Sequence, residues 1–101
     1  MTIKSELQNK DFLVLFISGR LDTISATTLE LELERLVDGT MVIILDLKNL
    51  SYISSSGLHV LLQTQKMMNA KKRKLVIKNM REAVREVFEM TGFINIVTLE
   101  E

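Results

Sequence analysis

Three consecutive serines, Ser54-Ser55-Ser56, are followed by Gly57 and, four residues after Ser55, by His59, the only histidine of the chain. A serine hydroxyl can cap a helix start, carry a phosphoryl group, or attack a carbonyl if a neighbouring base takes its proton. His59 at i+4 is the one candidate base for Ser55. Hydrolase chemistry fits poorly, because the nucleophile elbow needs glycine two residues before the serine and that position is Ile53. Two side chains projecting from one helix also supply no oxyanion hole, so His59 reads as a partly exposed helix residue. Asp46 invites comparison with phospho-accepting aspartates, but those need a cluster of carboxylates for a metal ion and only Asp46 is near. It reads as a brace for the loop leading to Ser55. Neither a Walker lysine loop nor a Gly-x-Gly-x-x-Gly run is present, which argues against a nucleotide-binding enzyme.

The elements that must position the serines are legible around them. Met41-Val42-Ile43-Ile44-Leu45 is an unbroken apolar run rich in β-branched residues, the pattern of a central strand covered on both faces. After the serines, Leu58, Leu61 and Leu62 recur at helical spacing, so the triplet lies where the chain enters a helix. A helix start presents unpaired N–H donors and the positive end of the dipole, which suit a phosphate as well as a cap. A capping serine and a phosphoryl-bearing serine therefore both stay open.

The other segments follow in order. Ile3, Ser5 and Leu7 alternate with polar residues as a strand with one buried face, Asn9-Lys10-Asp11 turns the chain, and Phe12–Ile17 is a strand inside the sheet. Gly19-Arg20-Leu21-Asp22 reads as a loop, with Thr23 or Ser25 able to cap a helix whose stripe is Leu29, Leu33, Leu36 and Val37 and which ends at Asp38-Gly39. Ala70-Lys71-Lys72-Arg73-Lys74 is a basic run at a helix carboxyl end before the strand Leu75-Val76-Ile77. Met80, Ala83, Val84, Val87 and Phe88 form a third amphipathic helix closed by Thr91-Gly92, and Ile94, Ile96 and Val97 supply a last strand. The order ββαβαβαβ predicts an α/β fold with a mixed, mostly parallel sheet and an antiparallel edge hairpin.

Composition bounds the function. A chain of 101 residues, 47% of them hydrophobic, makes one domain spanning 1–101 with a single core. Lys+Arg and Asp+Glu both number 13, so no net field favours nucleic acid or an anionic membrane, and a protein partner or small ligand is expected. The absence of cysteine excludes disulfides, thiolate metal sites and a cysteine nucleophile, and the scattered methionines have no metal-site spacing. No apolar stretch approaches the ~20 residues that span a bilayer, and the first residues lack a signal peptide's pattern, so a cytoplasmic location is expected.

The segment Asp46-Leu47, the spacer Lys48 to Ile53, and Ser54-Ser55-Ser56-Gly57-Leu58 resembles the signature of the STAS domain of bacterial anti-sigma factor antagonists. Gly19-Arg20-Leu21-Asp22 and Met90-Thr91-Gly92-Phe93 match further elements of that family, so the resemblance covers nearly the whole chain. It implies a single STAS domain that is not an enzyme and needs no cofactor. It implies phosphorylation at Ser55, two residues before the glycine, with Ser54 and Ser56 as minor alternatives. Asp22, Ser54, Ser56, Gly57, Leu58 and His59 would belong to the partner surface. The family often carries aspartate where this chain has Ser54. The implied partners are an anti-sigma factor that is also a serine kinase of the histidine-kinase-like ATPase fold, and a PP2C-type phosphatase. Any manganese or magnesium belongs to the phosphatase and ATP to the kinase. A weak homodimer is left open, as is control of secretion, motility or a stress scaffold instead of a sigma factor. A small-ligand sensor would require an apolar pocket with convergent polar groups, and no residues single one out.

Overall fold

At Lys10-Asp11 the chain reverses, and Asn9 holds the reversal: its Oδ1 accepts from the backbone N–H of Asp11 at 2.8 Å and of Phe12 at 3.2 Å. The computed structural model, which describes residues 1–100, accordingly pairs β1 (Thr2–Asn9) antiparallel to β2 (Phe12–Leu21). There follow α1 (Thr23–Val37), β3 (Val42–Asp46), β4 (Leu50–Ile53), α2 (Ser55–Ala70), β5 (Lys74–Lys78) and α3 (Glu82–Thr91). A 3₁₀ turn (Phe93–Asn95) and β6 (Thr98–Glu100) close the described residues.

The β-branched run of β3 occupies the middle of the sheet, parallel to β2 on one side and β5 on the other, and β6 extends β5 in parallel. The order β1-β2-β3-β5-β6, with β4 paired to β2, is the expected mostly parallel sheet with an antiparallel edge hairpin. Leu29 and Leu33 of α1, Leu61 of α2, and Val84 and Phe88 of α3 are all buried against one side of it in one core. Each such side chain contributes about 1.5–3 kcal/mol relative to an exposed position.

The helix ends follow from local chemistry. Gly92 takes a left-handed φ of 79° and closes α3, a conformation that costs other residues but not glycine. The basic run ties α2 to α1: Lys71 Nζ pairs with Asp38 Oδ1 at 2.7 Å, and the Arg73 guanidinium donates to the carbonyl of Val37.

Several expectations are corrected. The spacer contains a strand, β4, so the described order is ββαββαβαβ, because Leu50 and Ile53 find buried sites and β2 has backbone left to pair with. β2 itself runs on through Gly19 to Leu21, where a loop was expected, with Gly19 in a left-handed conformation at an irregularity in the ladder. The last strand starts at Thr98, while Ile94 and Val97 pack against the core from the 3₁₀ turn and its exit. β1 buries little: Leu7 is 65% exposed and only Ile3 is packed against the core. β3 is covered on one face only, and Val42 and Ile44 on its other face are half-buried.

Candidate functional site

The serines and Asp22, 32 residues from Ser54, are brought together by β2 and β4. Leu21 pairs with Ile53, and the backbone N–H of Ser54 donates to the Leu21 carbonyl at 2.8 Å, so both strands hand over to helices at the same level. Asp22 is thereby set beside Ser54, each the N-cap of its helix. The strand pair is held by Ser51 Oγ donating to the Gly19 carbonyl at 2.9 Å and by the Arg20 guanidinium stacked 4.1 Å over the Tyr52 ring.

Each serine of the triplet has a different position. Ser54 is extended, with φ −88° and ψ 170°, and its Oγ accepts from the Gly57 N–H at 3.1 Å, satisfying one orphan donor of the helix start. Aspartate at this position would accept the same bond, so the exchange of aspartate for Ser54 keeps the cap. Ser55 is the first residue of α2 and is exposed; Ser56 is half-buried. Among the described residues no hydrogen bond engages the Ser55 hydroxyl, whereas that of Ser54 is committed to the cap.

Gly57 is required by space. A Cβ there would lie 2.6 Å from Leu21 Cγ and 3.2 Å from Ile53 Cγ1, both ends of the strand pair just described. Gly57 and Leu58 are buried, so neither offers a side chain to a partner, a correction to their place on the expected partner surface. Their contribution is to let α2 settle against Leu21 so that Ser55 stands at the surface.

Asp22 makes a reciprocal cap. Its Oδ1 accepts from the N–H groups of Ser25 at 2.9 Å and Ile24 at 3.1 Å and from the Ser25 hydroxyl at 3.0 Å, and Ser25 Oγ accepts from the Asp22 N–H at 2.9 Å. The Ser25 backbone N–H first, then the Ser25 hydroxyl, hold its carboxyl below the usual carboxylate range, with smaller help from Ile24 and the Arg20 charge. Thr23 caps nothing. Asp46 braces the approach to β4: its Oδ1 accepts from the Lys48 N–H at 3.0 Å and its Oδ2 from Asn79 Nδ2 at 3.1 Å.

Between the starts of α1 and α2 lies an open cleft of about 410 Å³, lined by Thr23, Ala26, Thr27 and Glu30 on one wall and Ser55, Ser56, His59 and Val60 on the other. The α1 wall was not foreseen. Its signal was present, since Thr23, Thr27 and Glu30 fall at i, i+4 and i+7, a polar stripe beside the apolar one. His59 is exposed, and among the described residues no hydrogen bond joins it to Ser55 and no group of acidic, histidine or cysteine side chains is placed to hold a metal ion. No helix of the described residues is long and apolar enough to cross a membrane.

Residues 5–101 match the family model of the STAS domain. The chain belongs to the STAS domain family. It is 40% identical to BtrV of Bordetella bronchiseptica, assigned to the anti-sigma factor antagonists, over 85 residues that cover 83% of this chain and 73% of that protein. It is 30% identical to the anti-sigma-B factor antagonist of Staphylococcus aureus over 102 residues, covering 100% of this chain and 94% of that one. The anti-sigma factor antagonist SpoIIAA of Bacillus, in its unphosphorylated form, has the same fold: TM-score 0.85, 20% identity, 99% of this chain and 89% of that chain covered. The STAS fold accounts for the shared layout of one mixed sheet with three helices packed on it.

Proposed function

We propose that this STAS domain is an anti-sigma factor antagonist of a partner-switching pathway and is not itself an enzyme. Unphosphorylated, it docks the starts of α1 and α2 onto an anti-sigma factor that is also a serine kinase of the histidine-kinase-like ATPase fold, releasing the sigma factor. Phosphorylation of Ser55 ends that contact, and a metal-dependent PP2C-type phosphatase reverses it. The relatives named above support the assignment, and one observation carries the choice of residue. Of the triplet, Ser54 is spent on the cap and Ser56 is half-buried, while Ser55 is exposed at the first position of α2.

The physical basis of the switch is local. A dianion at the first turn of a helix meets the unpaired N–H donors and the positive dipole end, so it adds charge without disturbing the fold. The same charge placed against a partner with no matching cation costs several kcal/mol, and each ~1.4 kcal/mol is a factor of ten in affinity. Asp22, fixed as a carboxylate beside the acceptor, repels the phosphate and so shapes the surface for the unmodified form. Ser56 and His59 line the same cleft and complete the contact surface with Ser54.

Intact-mass analysis and fragment mapping after incubation with ATP and the cognate kinase should show one phosphate, on Ser55. Ser55→Ala should stay bound to that kinase, whereas Ser55→Asp should bind about a hundredfold more weakly while folded. Equal affinity of the two variants would contradict the mechanism. The cleft combines the apolar Ala26 and Val60 with hydroxyls, one carboxylate and one imidazole, but it lies open to solvent instead of enclosing a volume, which favours a protein surface over a small-ligand sensor.

A further inference from the structure

All three helices lie on one side of the sheet, and no element of the described residues covers the other. The ladder registers set out what that bare side carries. Across β2, β3 and β5, Phe12 aligns with Val42 and Lys74, Val14 with Ile44 and Val76, and Phe16 with Asp46 and Lys78. The outer strands add Lys4 beside Phe16, Glu6 beside Val14, and Glu100 beside Lys78. Phe12 and Phe16 are 41% and 37% exposed, and Val42, Ile44 and Val76 are only half-buried although they sit on interior strands. A contiguous apolar patch in the middle of a sheet is a surface that another surface covers.

We infer that this face packs sheet to sheet against a second copy of the chain, about a two-fold axis running along β3. The charge pattern names the occupant. Such a rotation keeps each row of side chains but reverses its order, because β1 of one copy then lies over β6 of the other. Lys4 falls opposite Glu100 of the second copy, and symmetry makes that pair twice. Phe16 falls over Lys78 and Phe12 over Lys74, each an aromatic face against a lysine stem and ammonium. Val14 meets Val76, and Ile44 on the axis meets its own copy. Asp46, also near the axis, is 8% exposed and accepts from the Lys48 N–H and Asn79; its carboxylate meets its own copy there, and the Lys78 aligned beside it in each chain offsets that charge. A chain whose acidic and basic residues balance also carries no net charge to hold two copies apart. The serine-bearing cleft is on the helix side, so both copies keep their switch surfaces free.

Sedimentation equilibrium of the full chain from about 10 μM to about 1 mM, the range of a weak association, tests this. The unaltered chain should move from monomer to dimer. Ile44→Lys and Ile44→Glu, each folded by circular dichroism, should each weaken the dimer about a hundredfold or more because like charges meet at the axis. An equimolar mixture of the two should restore it. At the rim, Lys4→Glu and Glu100→Lys should each weaken it roughly tenfold, and the double variant should recover. A chain that stays monomeric at 1 mM, or a mixture that fails to dimerise, overturns the inference. Kinase binding should be unaltered in all of these variants; the proposed switch is tested separately by the Ser55 variants.

Discussion

Ser54 shows how one hydroxyl frees its neighbour for chemistry. Because it caps α2 through the Gly57 N–H, Ser55 is left at the surface with no structural duty. Ser54→Asp keeps an acceptor at the cap and adds a negative charge at the dipole's positive end, so urea denaturation should show stability unchanged or slightly raised. Ser54→Ala should cost about 1 kcal/mol in the same measurement. The Asp22 cap responds to acid. Its carboxyl is held below the usual carboxylate range by Ser25, so its contribution to stability is present above the unfolded-state value of about 3.9. That contribution disappears as the pH falls through the lower, folded-state value. Asp22→Asn should therefore flatten the loss of stability below about pH 4, measured as denaturation midpoint against pH. An unchanged slope would mean that other carboxylates carry the acid response.

At the scale of elements, the legible parts were those with a sustained period. The stripe Leu29, Leu33 and Val37 and the stripe Val84 and Phe88 were visible in sequence because helical spacing repeats over several turns, and both are buried. β4 was not visible. Its two ends, Leu50 and Ile53, are buried and its middle residues Ser51 and Tyr52 exposed, an i, i+3 pattern that lacks a strand's alternation and fits a helical turn better. It exists because β2 outruns β3 and leaves backbone to be paired, which is a tertiary fact. The late start of β6 has the same origin, since Thr98 to Glu100 are the residues that reach Val76 to Lys78. The serine site was legible through its motif, while the α1 wall of the cleft depended on the packing of two helices. Two glycines separate these causes. Gly92→Ala meets no atom within 4 Å and is strained only by its φ of 79°, so it should cost about 1 kcal/mol. Gly57→Ala drives a Cβ to 2.6 Å from Leu21 and should cost roughly 1–3 kcal/mol by displacing α2. Denaturant unfolding measures both, and only Gly57→Ala should also disturb kinase binding, because only it moves Ser55.

For the whole molecule, the two sides of the sheet have different work. The helix side holds the core and, at the starts of α1 and α2, the proposed switch; the bare side carries an apolar patch with no helix over it. A switch placed at helix starts needs no global change, since the sheet beneath them is fixed by ladders on both edges of β2, β3 and β5. Ser55→Asp adds charge where the α2 dipole favours it, which contributes about 0.3–1 kcal/mol at an exposed helix start. Repulsion from the Asp22 carboxylate opposes that gain, so its melting temperature should stay close to that of the unaltered chain. Amide chemical-shift changes in a ¹H–¹⁵N correlation spectrum should be confined to the neighbourhood of Asp22 to Thr27 and Ser54 to His59. If the shifts instead spread through β3 and β5, the charge acts by rearranging the sheet, and the local electrostatic account of the switch fails.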